Sequence, residues 1–529
     1  MPNDAEMTAV CSRFVEDQSQ ERLGVHFPKY MLHTEQQNAN FFFGTRYNCG
    51  AQKTYYIGKP QDRDGHILVV GGAGSGKSSC IAIPTLGTWG GTFFAIDIKG
   101  ELSKNWPLVK KTNYPVKIFD FSREKKSVTF RYDPFYLLRE GDQDDLVQNA
   151  REIAQAIIPI PPNVQEPFWS QAAQHVLTAV ILYVCGLKEC DPETGELLQG
   201  TFNDAMVLIQ SKPIWKLIEE ISKSKNEASI MHINQFREIE NPEDNKMLAG
   251  IGAELSNRVM VFATDNRIRA AFSQDDDMMK WEDLEDHNVF MRIPEDKLGQ
   301  WDGAITMMLT QLIRTLERRP DKYSNERKLP PILLLLDEFP RLGKIDVIQN
   351  AVSTLRSKGV TICLVVQSLA QLDKMYGKES RQIIVDNCQY KAILSLTDPE
   401  NQRTISDMIG TINVRQNSIN DSSSRSLGEN NGSSLGEDLT FSGGQSRGMS
   451  RSISAGMSVV REPIIFPNEL ATLKDILLLT PEGVCRVNKL PYYEYFQPVS
   501  KKQSRRGCLR IGPKNKRQAL ESARRLLYT

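Results

Sequence analysis

The chain has 529 residues, of which 40% are hydrophobic, 25% are charged and 26 are proline. This composition excludes collagen-like, wholly disordered and coiled-coil proteins, and the length predicts two to four globular domains. The formal net charge is zero, with 65 Lys plus Arg against 65 Asp plus Glu, which argues against a protein that coats nucleic acid with its whole surface.

The basic residues are concentrated at the end of the chain. From Lys501 onward there are ten Lys or Arg and one acid, Glu521, so the first 500 residues hold 55 basic against 64 acidic side chains, a formal charge of about −9. The basic C-terminal tail, residues 500–529, could bind DNA phosphates, anionic lipid or an acidic partner. A solvated, disordered chain end is an equal interpretation.

The sequence predicts a soluble protein of a reducing compartment. No stretch approaches the roughly 18 to 20 apolar residues needed to span a bilayer, and the first residues lack the pattern of a signal peptide. Nine scattered cysteines without a Cys-x-x-Cys motif indicate neither a disulfide framework nor a zinc site.

Residues 1–55 form an N-terminal lead-in segment, without a transmembrane helix, to which we assign no chemistry. The pattern then changes to a strand at 66–70, a glycine-rich turn, a helix at 78–89 and a strand at 92–98. This βαβ order, followed by a strand near 116–121, predicts the first part of a nucleotide-binding domain at 56–139.

Residues 140–280 lose strand character and are predicted as an inserted all-α domain, with its clearest helix at 168–183. Strands alternate with helices again from 281 to 499, and uninterrupted apolar runs such as ILLLL and TICLVV are typical of parallel strands covered by helices on both faces. The fold class is therefore predicted as α/β with a mainly parallel sheet, interrupted by the α-helical insertion. Residues 416–452, rich in Ser, Gly and Asn, are predicted to be a mobile loop or linker.

The turn after the first strand fits the phosphate-binding pattern G-x-x-x-x-G-K-[ST]. Glycines in this pattern let backbone N–H groups surround the phosphates at a helix N-terminus. Lys77 is predicted to reach the β- and γ-phosphates of ATP, and Ser78 to ligate Mg²⁺. The predicted ATP-binding residues are Gly71, Gly72, Ala73, Gly74, Ser75, Gly76, Lys77, Ser78 and Ser79.

The apolar run 333–336 ends in two acids, Asp337 and Glu338. We expect Asp337 to support the Mg²⁺ ion and Glu338 to act as the base that polarises the attacking water, which favours an ATPase over a protein that only binds nucleotide. An apolar strand ending in acids is common, so this interpretation depends on the phosphate-binding pattern.

Other candidates are open from the residues alone. Asp97 to Glu101 end the second strand at the edge where open α/β sheets bind ligands, and a charged turn is an equally good interpretation. Arg356, on a predicted helix, and Gln367, at the end of a strand, cannot be assigned a function from spacing. His175 is more simply a packed helix residue than a metal ligand.

The order of these pieces resembles the type IV secretion coupling proteins of the TraG type, RecA-like ATPases that deliver DNA–relaxase complexes to a conjugation channel. The resemblance covers about residues 66–496. Its motifs are GGAGSGKSS, AIDIKGEL, RYDPF, FWSQAAQHVLTAVILYV, LLLLDEFPRLGKI, STLRSKGV, VVQSLAQLDKMYG, IIVDNC and REPIIFPNEL.

The resemblance implies a RecA-like domain, a homo-hexamer with ATP at subunit interfaces, and partners that include single-stranded DNA, a relaxase and the channel proteins. It also implies an arginine finger at Arg356 and a γ-phosphate-sensing glutamine at Gln367. Members of this family usually begin with transmembrane helices. Because this sequence shows none, we expect a cytoplasmic protein that partners recruit to the inner face of the cell membrane.

Three functions remain open at this point. The first is an ATP-driven coupling protein that delivers relaxase-bound single-stranded DNA or protein. The second is a double-stranded DNA translocase, although no C-terminal winged-helix module is apparent. The third is a receptor for protein effectors that uses ATP only to assemble, and DNA-stimulated hydrolysis would separate it from the two motors.

Overall fold

The computed structural model describes residues 28–48, 53–110, 114–121, 130–160, 167–190, 197–274, 278–323, 329–432 and 442–495. The first 27 residues and the basic tail at 500–529 lie outside this part. Among the described residues, no helix combines the length and the apolar composition that crossing a membrane requires.

The described strands are β1 Leu32–His33, β2 Phe41–Asn48, β3 Lys53–Lys59, β4 Ile67–Val70, β5 Thr92–Asp97, β6 Val116–Asp120, β7 Lys188–Cys190, β8 Leu197–Gln199, β9 Asn288–Arg292, β10 Ile332–Leu336, β11 Val360–Val366, β12 Tyr390–Ile393, β13 Thr411–Gly432, β14 Ser442–Pro463, β15 Ile476–Thr480 and β16 Gly483–Val487. The described α-helices are Ile83–Thr88, Glu101–Val109, Tyr136–Glu140, Leu146–Ile157, Phe168–Cys185, Phe202–Ser211, Ile214–Ser222, Glu227–Arg237, Lys246–Thr264, Asn266–Ala271, Asp302–Glu317, Ile348–Thr354, Leu369–Tyr376, Lys378–Asn387, Pro399–Ile409, Pro467–Ala471 and Tyr492–Tyr495.

The central sheet has nine strands in the order β16-β15-β12-β4-β11-β10-β5-β9-β6. From β12 to β6 every neighbouring pair is parallel, while β15 and β16 are antiparallel at one edge. Every residue of β4, β5, β10 and β11 is buried, as expected for apolar strands covered on both faces. The predicted α/β class with a mainly parallel sheet is confirmed.

The register of the sheet brings four loops to one edge. Leu336 of β10 pairs with Leu364 of β11 and with Ile96 of β5, and Val366 of β11 pairs with Val70 of β4. Because all of these strands are parallel, the residues that follow them emerge together at their carboxyl ends, where open α/β sheets bind ligands.

Part of the predicted lead-in segment is structured. β1, β3 and β2 form a three-stranded antiparallel sheet in that order. Phe42 N donates to Thr85 Oγ1 at 3.1 Å and Thr85 Oγ1 donates to Phe42 O at 3.2 Å, so this sheet is hydrogen-bonded to the helix that follows the glycine-rich turn. The sequence predicted only a lead-in segment here, because antiparallel pairing between short strands leaves a weak local pattern.

Between Leu146 and Ala271, the described residues of the predicted insertion form helices and their connections, apart from the short antiparallel pair of β7 and β8. The prediction of a purely α-helical segment is wrong at this pair, because strands of three residues are too short to show an alternating pattern. The boundaries at 140 and 280 stay a prediction.

Residues 402–469 belong to a compact unit separate from the one that holds the central sheet and the helical segment. Within this unit β13 and β14 pair antiparallel from Thr411 with Pro463 to Gly432 with Ser442. The prediction of a loop is therefore wrong in secondary structure at 416–432 and 442–452, and residues 433–441 of the predicted loop lie outside the described part. Backbone pairing satisfies N–H and C=O groups whatever the side chains are, so a polar composition does not exclude strands.

Candidate functional site

The glycine-rich turn between β4 and the following helix has the backbone of a phosphate-binding loop. Gly74 and Gly76 adopt φ values of +71° and +101°, which favour glycine. A Cβ at Gly71 would lie 2.6 Å from Ser75 Oγ and 2.9 Å from Leu394 Cβ, so the loop is closed tightly on itself. Residues Lys77–Ala82 then form a π-helical turn, a local irregularity often found at functional sites.

Lys77 lies inside this loop. Its side chain is 8% exposed, and Nζ donates to Gly71 O at 2.7 Å and to Gly72 O at 3.0 Å. Burial lowers the pKa of Lys77, while Glu338 and Asp337 oppose that shift. The ammonium group therefore sits between its own loop and two carboxylates from the end of β10.

Glu338 and Gln367 are in direct contact. Gln367 follows β11, and its Nε2 donates to Glu338 Oε2 at 2.8 Å. The Glu338 side chain is 5% exposed, and its backbone adopts φ +50°, a conformation rare for residues other than glycine and often found where function constrains the chain. The amide therefore orients a nearly buried carboxylate beside Lys77.

Asp337 is the second acid of this edge. Burial raises its pKa to about 6, and the neighbouring Glu338 adds to the increase. The backbone N–H of Glu338 donates to Asp337 Oδ1 at 3.0 Å. A divalent cation bound here would stabilise the charged form, so a carboxylate with this electrostatic environment fits a metal ligand.

Asp97 has a structural role. Its carboxylate accepts hydrogen bonds from Leu102 N at 3.2 Å and Ser103 N at 2.8 Å, and it therefore caps the helix Glu101–Val109. The exposed Lys99, two residues on, is near enough to influence the pKa values of Lys77 and Asp337. Sequence reasoning gave Lys99 no role, although its place at the end of β5 was the available signal.

Arg356 does not lie near the side chains that surround the phosphate-binding loop. It lies in the turn after the helix Ile348–Thr354, not on a helix as predicted, because Gly359 at φ +71° reverses the chain before β11. The seven residues of β11 separate Arg356 from Gln367, a distance of about 20 Å at roughly 3.3 Å per residue. Among the described residues, no hydrogen bond or ion pair is found for its exposed guanidinium.

Arg356 lines a cavity of about 740 Å³ at the amino ends of the strands, together with Arg63 and Lys358. Other cations of this cavity are paired: Lys322 with Asp64, Arg319 with Glu285, and Lys358 with Asp321. Arg356 is thus an available cation on the side of the sheet opposite to the phosphate-binding loop.

His175 acquires a partner that the sequence did not indicate. Its Nδ1 lies 3.2 Å from Nδ1 of His232, which is on the helix Glu227–Arg237. In the described ranges there is still no group of three or more His, Cys, Asp or Glu that could hold a metal ion.

Comparisons with known proteins identify a matching family and several relatives. The family model for type IV secretory system conjugative DNA transfer matches residues 30–510. Protein VirD4 of Rhizobium rhizogenes is 25% identical over 370 residues, which are 69% of this chain and 52% of the relative. The conjugal transfer protein TraG of Escherichia coli is 24% identical over 400 residues, 70% of this chain and 60% of the relative. The chain spans about half the length of the VirD4 proteins that it matches.

Solved structures of the plasmid coupling protein TrwB have a similar fold. The complex with the ATP analogue ADPNP superposes with a TM-score of 0.59 at 16% identity and covers 84% of this chain and 89% of that one. The complex with ADP and Mg²⁺ gives a TM-score of 0.55. The predicted RecA-like fold with a phosphate-binding loop is confirmed.

Proposed function

Because this chain belongs to the type IV secretory system conjugative DNA transfer family, we propose that it is an ATP-hydrolysing coupling protein. In this proposal it recruits a relaxase-bound single-stranded DNA, or a protein substrate, and drives its delivery to a type IV secretion channel. The observation that carries the ATPase is the meeting of Lys77, Asp337, Glu338 and Gln367 at one edge of the sheet.

The loop fits a triphosphate. Among the described residues, the Oγ atom of Ser75 is buried without a hydrogen-bond partner, and the hydrogen bonds of Lys77 Nζ go to two carbonyls of its own loop. A bound phosphate would satisfy Ser75 and would draw Lys77 away from Gly71 and Gly72. The ATP analogue ADPNP, and ADP with Mg²⁺, are ligands of TrwB, a protein with a similar fold.

Each side chain then has a defined role. Ser78 and Asp337 would hold the Mg²⁺ ion, which supplies charge neutralisation on the phosphate oxygens. Lys77 binds the β- and γ-phosphates. Glu338 accepts the proton of the attacking water, and Gln367 holds the Glu338 carboxylate in the orientation that this transfer needs.

The position of Arg356 supports a site shared between subunits. It is about 20 Å from its own phosphate-binding loop, and the described part of the chain offers it no partner. In a ring of subunits, of which a homo-hexamer is our proposal, the amino edge of one sheet would face the nucleotide of the next. Arg356 would then stabilise transferring phosphoryl charge only after assembly.

The partners follow from the family and remain part of the proposal. We expect DNA, a relaxase and channel proteins to bind, and membrane contact to occur through those partners at the inner face of the membrane. The relatives named VirD4 and TraG are longer than this chain, so activities of their remaining parts are not transferred to it.

The experiment is steady-state ATP turnover by the purified full chain with single-stranded DNA, double-stranded DNA or neither, using Glu338→Gln as the blank. Stimulation by single-stranded DNA, absent from the blank, would support the proposal. Stronger stimulation by duplex DNA would favour a double-stranded translocase. Turnover indifferent to both would favour a receptor for protein substrates.

A further inference from the structure

A second cavity, which plays no part in the ATP site, lies beside the helix Asn266–Ala271. Its volume is about 1050 Å³, above the range of roughly 300–1,000 Å³ typical of pockets for small molecules. We call it the basic groove; its described lining is Arg131, Asn203, Asp265, Asn266, Arg267, Arg269, Ala270, Ser273 and Lys297.

The charge of the basic groove is strongly unbalanced. Four cations line it against one carboxylate, Asp265. That carboxylate is already engaged, because Oδ1 accepts from Arg267 N at 2.8 Å and Oδ2 accepts from Trp301 Nε1 at 3.1 Å. The cavity near Arg356 differs, because three of its five cations are in ion pairs.

Two arginines of the basic groove, Arg267 and Arg269, are available. Arg267 is half-buried and Arg269 exposed, and within the described ranges neither guanidinium forms an ion pair or hydrogen bond. In the described part of the chain, the ammonium group of Lys297 donates to the neutral Gln300 at 3.1 Å and forms no ion pair. Like charges gathered on one wall without counter-charges repel one another, so their arrangement favours an anionic ligand.

Asn203 adds a second feature. Its Nδ2 donates to Arg269 O at 2.9 Å and to Phe272 O at 3.4 Å, which fixes the orientation of the amide. Among the described residues, Oδ1 of Asn203 has no hydrogen-bond partner, and this atom is buried. The basic groove therefore offers cations that can bind phosphates and an oxygen that can accept from an N–H group. A nucleotide chain has both phosphates and N–H groups, whereas a simple anion has only the negative charge.

We infer that the basic groove binds the backbone of single-stranded DNA, with Arg267, Arg269 and Lys297 on phosphates and Asn203 Oδ1 accepting from an N–H group of an unpaired base. This inference rests on the proposed function, because the family relation is what favours DNA over an acidic protein. No aromatic side chain is found among the described lining residues, so binding depends mainly on phosphate contacts, which carry no sequence information.

The test compares the full chain with Arg267→Ala/Arg269→Ala by fluorescence anisotropy of a labelled oligothymidylate over a salt series. Removing two phosphate contacts should weaken binding about tenfold or more near physiological salt. It should also reduce the slope of log K against log salt by about 1.4, because each phosphate contact on a single strand contributes about 0.7 to that slope. The matched control, Lys225→Ala/Arg237→Ala, removes two exposed cations of the helical segment outside the groove and should bind as the wild type does.

The outcomes separate the two proposals. If the wild-type chain does not bind DNA, the DNA-delivery part of the proposed function fails, and the inference fails with it. If it binds and the groove variant, folded with an unchanged circular dichroism spectrum, binds equally well with an unchanged slope, the inference is overturned. It is also overturned if the variant keeps DNA but loses a labelled polyglutamate peptide, because the groove would then be a site for an acidic protein.

Discussion

Replacing Gln367 by alanine should show that its role is to orient Glu338, the proposed catalytic base, and not to bind ATP. Glu338 is 5% exposed, and the amide of Gln367 donates to it at 2.8 Å. A hydrogen bond to a charged group contributes about 1.5–3 kcal/mol. If Glu338 needs this contact in the transition state, kcat should fall roughly 10- to 150-fold, since about 1.4 kcal/mol corresponds to tenfold.

The assay is steady-state ATP turnover with kcat and KM measured separately. An interaction made only in the transition state lowers kcat without raising KM. The matched control is Gln371→Ala, because Gln371 contacts the backbone N–H of Gln367 and not Glu338, and we expect a change of less than about threefold. A kcat of Gln367→Ala within twofold of wild type, or a change in KM alone, would refute the orientation of Glu338 by Gln367 and favour a direct phosphate contact.

Three further changes test other parts of the structure. Lys77→Ala should abolish ATP binding, measured with a fluorescent nucleotide, because the cation that contacts the β- and γ-phosphates is lost; retained micromolar binding would contradict its role. Arg356→Ala and Lys77→Ala should each be inactive alone. If the arginine acts in a neighbouring subunit, an equimolar mixture of the two variants should regain about a quarter of wild-type turnover. A mixture as inactive as its components would contradict the shared site. Asp97→Ala should lower the free energy of unfolding by about 2–3 kcal/mol, because a helix cap is lost and buried donors are left unpaired; an unchanged urea midpoint would show that the cap is dispensable.

Local patterns predicted the elements around the phosphate-binding loop well. The strand before Gly71, the following helix and the acids after β10 all have signals within a few residues, because glycine spacing and apolar runs determine them locally. The contact between Gln367 and Glu338 was beyond that reasoning. It depends on β11 lying between β4 and β10, which is a consequence of tertiary packing.

Other features needed the fold for the same reason. The partner of His175 comes from a helix more than fifty residues away, and the basic groove combines Arg131, Arg267 and Lys297, which no sequence window contains. The hairpin of β13 and β14 was missed because its polar residues do not alternate with apolar ones. Backbone pairing supplies the hydrogen bonds of such strands without leaving a signal in composition.

The central claim is that ATP turnover moves this protein along DNA, and displacement of streptavidin from biotinylated single-stranded DNA tests it most directly. Wild-type chain with ATP and Mg²⁺ should release streptavidin faster than it dissociates spontaneously, and Glu338→Gln should release none above that rate. If DNA stimulated ATP turnover in the wild type but streptavidin stayed bound at either end of the strand, the protein would not be a motor. The protein would then be better described as a receptor that uses ATP for assembly.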